Sequence, residues 1–297
     1  MPKVNLKFLK FLKNLIIFSS LIYFVFFISD NFEQFLKLRY FGLINIFVIV
    51  ILKILSFIFL SNMNLFTLKI INISLTKLES FNITIKNALG NLALPLKLGS
   101  GYKFTYLKNK FNFKNSQFIY LWTFISVLSI FPNGIIFISY LLYDSKIKFT
   151  EFLLSIFLVL ALMFFLVYIT KNLTLLKKFG SIHTFKYFSE FNIKVQIYYF
   201  FYFLIDSIVI FLIIRNIDNK YNFISAITFS FISLIISLLN LTPGNIGIKE
   251  GTIIMLNSIH GINFEIVIIV SIIDRILSFI TLFVLEYYLK FSTKTDY

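Results

Sequence analysis

What most constrains this chain is the recurrence, from Leu15 to Tyr288, of apolar stretches long enough to cross a lipid bilayer. A helix rises about 1.5 Å per residue, so a hydrocarbon core of about 30 Å takes roughly 20 mostly apolar residues. Of the 297 residues, 59% are hydrophobic and 14% charged, against about 25% charged in soluble proteins. The expected fold is all-α and polytopic, with about seven to eight transmembrane helices. It forms a single integral membrane domain over 1–297, with halves of approximately 1–150 and 151–297. Cysteine is absent and the histidines are His183 and His260. That removes disulfide scaffolds, thiolate or multi-histidine metal sites, and Cys or Ser/His nucleophile pairs. No metal or cofactor is expected, whereas sites built from carboxylates remain open.

The formal charge of +15 comes from basic residues placed between apolar spans, not from one solvated domain, so the expected partner is a membrane surface and not a nucleic acid. Lys3, Lys7, Lys10 and Lys13 precede the apolar stretch Leu15 to Ser29, which lacks the small residues of a signal-cleavage site. It reads as an uncleaved first helix with a cytoplasmic N-terminus, in the cytoplasmic (inner) membrane. A second helix is expected over Phe41 to Leu60. The lysine-rich segment Ser61 to Gln117 is too polar for plain spanning and reads as mainly cytoplasmic. Within it, Leu65 to Leu75 and Ile83 to Leu98 fit re-entrant or interfacial pieces. Further spans are expected over Phe118 to Leu142, Phe152 to Ile169, Tyr198 to Ile214 and Phe223 to Leu239, and from about Phe264 to Tyr288. A segment broken by Pro and Gly lies between Leu241 and Ser258. The Asn-x-Ser/Thr matches at Asn72 and Asn82 are chance matches in an Asn-rich chain.

Two segments match each other. Leu94-Pro95-Leu96-Lys97-Leu98-Gly99 continues to Lys103, and Thr242-Pro243-Gly244-Asn245-Ile246-Gly247 continues through Lys249, Glu250 and Gly251. Each has Pro, an aliphatic residue at plus three, Gly at plus four and a trailing lysine, with Asn91 or Asn240 just upstream. Pro95 and Pro243 stand 148 positions apart, half the chain. Broken apolar segments at corresponding positions of two halves point to a transporter binding site. Proline removes an amide donor and glycine permits tight turns. The N–H groups left over, at the positive end of a half-helix, can then hold an anion such as a phosphate. The plainer alternative is that both are kinks, which transmembrane helices tolerate.

With those residues in place, the chain resembles the transmembrane region of lysylphosphatidylglycerol synthases and the related stand-alone flippase-like membrane proteins. Pro243, Gly244, Ile246, Gly247, Lys249, Glu250 and Gly251 match that family's second motif in order, with Lys for Arg. Asn91, Leu94, Pro95, Gly99 and Lys103 resemble its first motif, and Arg275 resembles an arginine of the final helix. Leu96, Lys97 and Asn245 stand where the family usually has glycines, and Ser100 where an acidic residue is frequent. The resemblance implies that the chain moves an anionic, aminoacylated or isoprenoid-linked lipid across the bilayer, or supports that movement. No polar stretch within these residues is long enough to fold the aminoacyl-transfer domain of the synthases, so none is expected here.

An ionisable residue at a helix centre costs about 2.5–3.5 kcal/mol on insertion scales, so each needs a reason. Lys249, Glu250, Asp274 and Arg275 form the principal candidate cluster. Neighbours at i and i+1 do not face each other on a helix. Pairing between helices is therefore expected, for example Glu250 with Arg275 or Lys249 with Asp274, around a cavity where Arg275 and Lys249 meet a headgroup phosphate. A fixed helix-to-helix ion pair that only packs the bundle is the alternative. Lys53 and Asp206 are weaker cavity candidates, Lys53 because a lysine can snorkel to the interface. Glu286 reads as interfacial and His260 as a loop residue. The leading function is a lipid flippase or transporter. Membrane lipids are its partners, and a second copy of the chain or a lipid-modifying enzyme remains open as a protein partner. The competing functions are an integral-membrane glycosyl- or lipid-transferase and a structural partner of a lipid-modifying enzyme.

Overall fold

A computed structural model of the chain describes residues 41–94, 97–115, 117–119, 193–239, 242–255 and 262–292, with scattered positions in 18–36 and at 121, 122, 125 and 134. The described residues are helical and contain no strand. In chain order the helices are α1 (Phe32–Leu36), α2 (Leu43–Ile70), α3 (Lys77–Ala93), α4 (Leu98–Phe111), α5 (Ile193–Ile217), α6 (Phe223–Leu239), α7 (Ile248–Met255) and α8 (Phe264–Ser292), with a 3-10 turn over Pro243–Asn245 between α6 and α7. The expected spans over Phe118–Leu142 and Phe152–Ile169 lie outside the described residues almost entirely, as does most of Leu15–Ser29. Pro95, Asn240 and His260 lie outside them as well.

Among the described residues, α2, α5 and α8 are long and apolar enough to cross a membrane. Of the three, α8 is the most buried, and its Val267, Val270, Ile273, Ile276 and Leu277 share a core with Ile49 of α2, Val209 and Ile213 of α5 and Phe229 of α6. The outward faces carry Leu43, Phe47, Phe201 and Val284 in the open, as a lipid-facing surface requires.

The second helix runs to Ile70 and not to Leu60. Its polar continuation, which reads as a stop in sequence, is matched by partners on the neighbouring helices. Ser80 Oγ donates to the Ser61 carbonyl at 2.8 Å, Asn64 Nδ2 to Thr84 Oγ1 at 3.0 Å, and Lys103 Nζ to Asn64 Oδ1 at 2.7 Å. Interhelical hydrogen bonds of this kind hold helices together where no hydrophobic force is available to do so.

Helices α3 and α4 form a broken pair. Thr76 and Glu79 make a capping box that starts α3: the Glu79 N–H donates to Thr76 Oγ1 at 3.2 Å and the Thr76 N–H to Glu79 Oε2 at 3.0 Å. At the other end, Leu94 turns extended and Lys97 adopts a left-handed conformation before α4 begins. The two helices then pack so closely that a Cβ on Gly99 would stand 2.1 Å from the Asn87 carbonyl oxygen. The far ends are tied by Lys110 and by the Tyr106 hydroxyl, both bonded to Glu79 Oε1.

Burial alone would raise the Glu79 carboxyl, but hydrogen bonds from Lys110 and Thr76 more than offset it and hold it below its ordinary value. A lowered carboxyl contributes stability above its unfolded-state value and loses it as pH falls through the folded-state value. Unfolding in detergent is therefore expected to grow easier on acidification below the ordinary carboxylate range, and Glu79→Gln is expected to flatten that dependence. Thr76→Ala is expected to cost about 1 kcal/mol and Gly99→Ala about 1–3 kcal/mol, both read by equilibrium unfolding of the purified protein.

Candidate functional site

The last long helix delivers two adjacent charges, and the geometry of a helix sends them to different neighbours. Asp274 faces α2 and α7. Its Oδ1 accepts from Lys53 Nζ at 2.6 Å, and its Oδ2 lies 3.4 Å from Lys249 Nζ. Lys53 also donates to Ser278 Oγ at 2.8 Å, one turn further along α8. Arg275, about 100° round the helix, faces the second broken segment. Its Nη2 pairs with Glu250 Oε1 at 2.7 Å and its Nε donates to the Gly244 carbonyl at 3.2 Å. The interhelical pairs expected from sequence, Glu250 with Arg275 and Lys249 with Asp274, are both present. Lys53 does not snorkel: it is buried and completes the Asp274 site.

The broken segment is shaped to make this reach. Pro243 opens the 3-10 turn, where a missing N–H is harmless. Gly244, Asn245 and Gly247 all take positive φ, 54°, 57° and 79°. Asparagine is the side-chain-bearing residue that adopts this conformation most readily, which explains how it serves in place of glycine at 245. Glu250 then does two things at once. Its Oε2 accepts from the Gly247 N–H at 2.8 Å, satisfying a donor at the start of α7, and its Oε1 holds Arg275.

The first broken segment is closed by a related device. Asn91, on α3, accepts from the Ser100 N–H at 3.2 Å across the break, capping α4 from outside. The two broken segments also meet. A Cβ on Gly244 would lie 3.2 Å from the Leu92 carbonyl oxygen and 3.6 Å from Arg275 Nε, so only glycine lets the backbones come so close.

Where they meet is a cavity of about 350 Å³. Lys53, Asp206, Lys249, Asp274 and Arg275 line it, with Asn87, Asn91, Asn245 and three serines of α6, Ser230, Ser233 and Ser237. Tyr199, Tyr202 and Phe57 supply part of its apolar wall. Asn87 Oδ1 and Asn245 Oδ1 are buried with no hydrogen-bond partner among the described residues, which suits them to accept from a ligand donor. Among the described residues no group of three His, Cys, Asp or Glu side chains could hold a metal ion.

Of the other residues singled out in the sequence, Gly99 serves helix packing and Gly247 the start of α7. Lys103 is buried on α4 against Asn64 and does not line the cavity, so it does not mirror Lys249. Glu286 is buried within the bundle, on α8, which runs on to Ser292. Sequence reading passed over Asn87 and the serines of α6. Their signal is spacing: Asn87 and Asn91 are one turn apart, and Ser230, Ser233 and Ser237 recur at helical intervals.

Removing one partner of a buried ion pair strands the other charge, at about 3–5 kcal/mol. Lys53→Met leaves Asp274 with the longer Lys249 contact alone and is expected to destabilise detergent-solubilised protein by up to that order, and Ser278→Ala by less than about 1.5 kcal/mol. Equal small losses from the two would mean that Asp274 is not held as described.

The family model described as lysylphosphatidylglycerol synthase TM region matches residues 11–285 of the chain. Comparison with curated proteins and with solved structures gives no match.

Proposed function

The chain belongs to the lysylphosphatidylglycerol synthase transmembrane-region family, and on that premise we propose that it is a lipid flippase or lipid transporter. The family places it in a membrane and in a lipid-related role. The observation that carries the finer reading is the cavity at the meeting of two broken helical segments, lined by three cations and two carboxylates, with Glu250 holding Arg275 from the side of α7. A volume of about 350 Å³ suits a polar headgroup, with the acyl chains left in the bilayer. An anionic, aminoacylated or isoprenoid-linked lipid would bring a phosphate to this site.

Lys249 and Arg275 remain the cations for that phosphate. Each already has a carboxylate partner, so the phosphate competes with Asp274 and Glu250 and does not fill a vacancy. Exchange of partners on a helix that also carries the Lys53 anchor gives the site two arrangements, as alternating exposure of a midplane cavity requires. The lysines at 3, 7, 10 and 13 support a cytoplasmic N-terminus in the inner membrane.

The test is translocation of fluorescent anionic and isoprenoid-linked lipids in liposomes containing the purified protein. Wild type is expected to move one of them, and Arg275→Gln and Glu250→Gln to slow it by about tenfold or more, the equivalent of about 1.4 kcal/mol. Variants that remain folded and move lipid at the wild-type rate would remove the reading.

A further inference from the structure

Asp206 is the one cavity-lining carboxylate with no ion pair among the described residues. Asp274 takes both lysines and Glu250 takes Arg275, while Asp206 projects from the middle of α5 into the same cavity. The groups around it are few. Helix α2 presents Lys53, α7 presents Lys249, and α8 presents Asp274 with Arg275 beyond it. Helix α6 has no ionisable residue and offers the Ser230 hydroxyl. On α5 itself, Tyr202 and Tyr199 stand one and two turns away on the same face.

With Asp206 ionised, the three cations and three carboxylates balance and the site is neutral. A phosphate entering that site would leave a buried net negative charge, which is strongly unfavourable. With Asp206 protonated, the site holds one excess positive charge, matched to one phosphate. We propose that Asp206 is a proton-coupling site. It takes up one proton from water, forming a carboxyl O–H, as an anionic headgroup binds, and returns that proton when the headgroup leaves. This deepens the flippase reading and rests on it for the identity of the cavity, but proton uptake can be measured without transport.

The experiment is calorimetric titration of the full-length, detergent-solubilised protein with dioctanoyl phosphatidylglycerol, in pairs of buffers that differ in ionisation enthalpy. Wild type is expected to take up about one proton per bound lipid. Once Asp206 is ionised in the free protein, affinity should fall by about tenfold per unit rise in pH. Asp206→Asn is expected to take up none and to bind with an affinity that no longer falls with pH, while Asp206→Glu keeps the uptake. Wild-type binding with no proton uptake at any pH between about 5 and 8 overturns the proposal. So does uptake unchanged in Asp206→Asn, or no binding at any pH between about 5 and 8, a window that runs from just above ordinary carboxyl titration through that of histidine. Where the Asn variant fails to fold, a wild type that takes up no proton still overturns the proposal, and Asp206→Glu, expected to keep the uptake but shift its pH dependence, assigns it to this side chain. Proton-linked binding in a protein that moves no lipid would keep this site and remove the flippase reading.

Discussion

Asp274 is held between two ammonium groups, Lys53 of α2 and Lys249 of α7, and the arrangement of the bundle depends on that contact. A carboxylate on the central helix cannot stay charged in an apolar surround without partners. Supplying them fixes where α2 crosses α8 and draws the short helix α7 inward. With α7 placed, Glu250 reaches Arg275, and the turn at Gly244 comes against Leu92 of the first broken segment. The cavity is therefore a result of ion pairing and not a gap left by poor packing.

Around this centre the polar backbone groups of two helix breaks need satisfaction within the fold, because a bilayer core offers no water. Two side chains provide it. Asn91 caps α4 across the first break, and Glu250 receives the donor of Gly247 at the second. Asn91 lines the cavity and Glu250 holds the cavity residue Arg275, so the groups that stabilise the breaks also set its lining. Any ligand that draws Glu250 away from Arg275 acts on the start of α7 in the same movement. On the proposed function, that linkage is the physical route from headgroup binding to a change in helix position.

Several of these features are legible in the sequence because their signal is local. The long apolar runs of α5, α6 and α8 follow from hydropathy, and α6 spans the expected Phe223–Leu239. The Glu250–Arg275 and Lys249–Asp274 pairs follow from the rule that adjacent helical residues diverge. Features that depend on a distant partner were not legible. Ser61 and Asn64 look like the end of a span until α3 and α4 supply their hydrogen bonds. Lys53 looks able to snorkel until Asp274 is placed 2.6 Å away. Lys103 and Lys249 look equivalent in the paired motifs, but one turns toward Asn64 and the other toward Asp274.

The central claim is that a polar, ion-paired cavity opens where the two broken segments meet inside the membrane. Because the chain contains no cysteine, single cysteines can be introduced and labelled without background. The most direct measurement is the reaction of Asn87→Cys, Ser233→Cys and Val284→Cys with a membrane-impermeant maleimide in sealed vesicles. The account predicts that the cavity thiols at 87 and 233 react from one side and are protected by an anionic lipid headgroup, while the lipid-facing thiol at 284 stays unreactive. Thiols at 87 and 233 as silent as that at 284, with the protein folded, would contradict it.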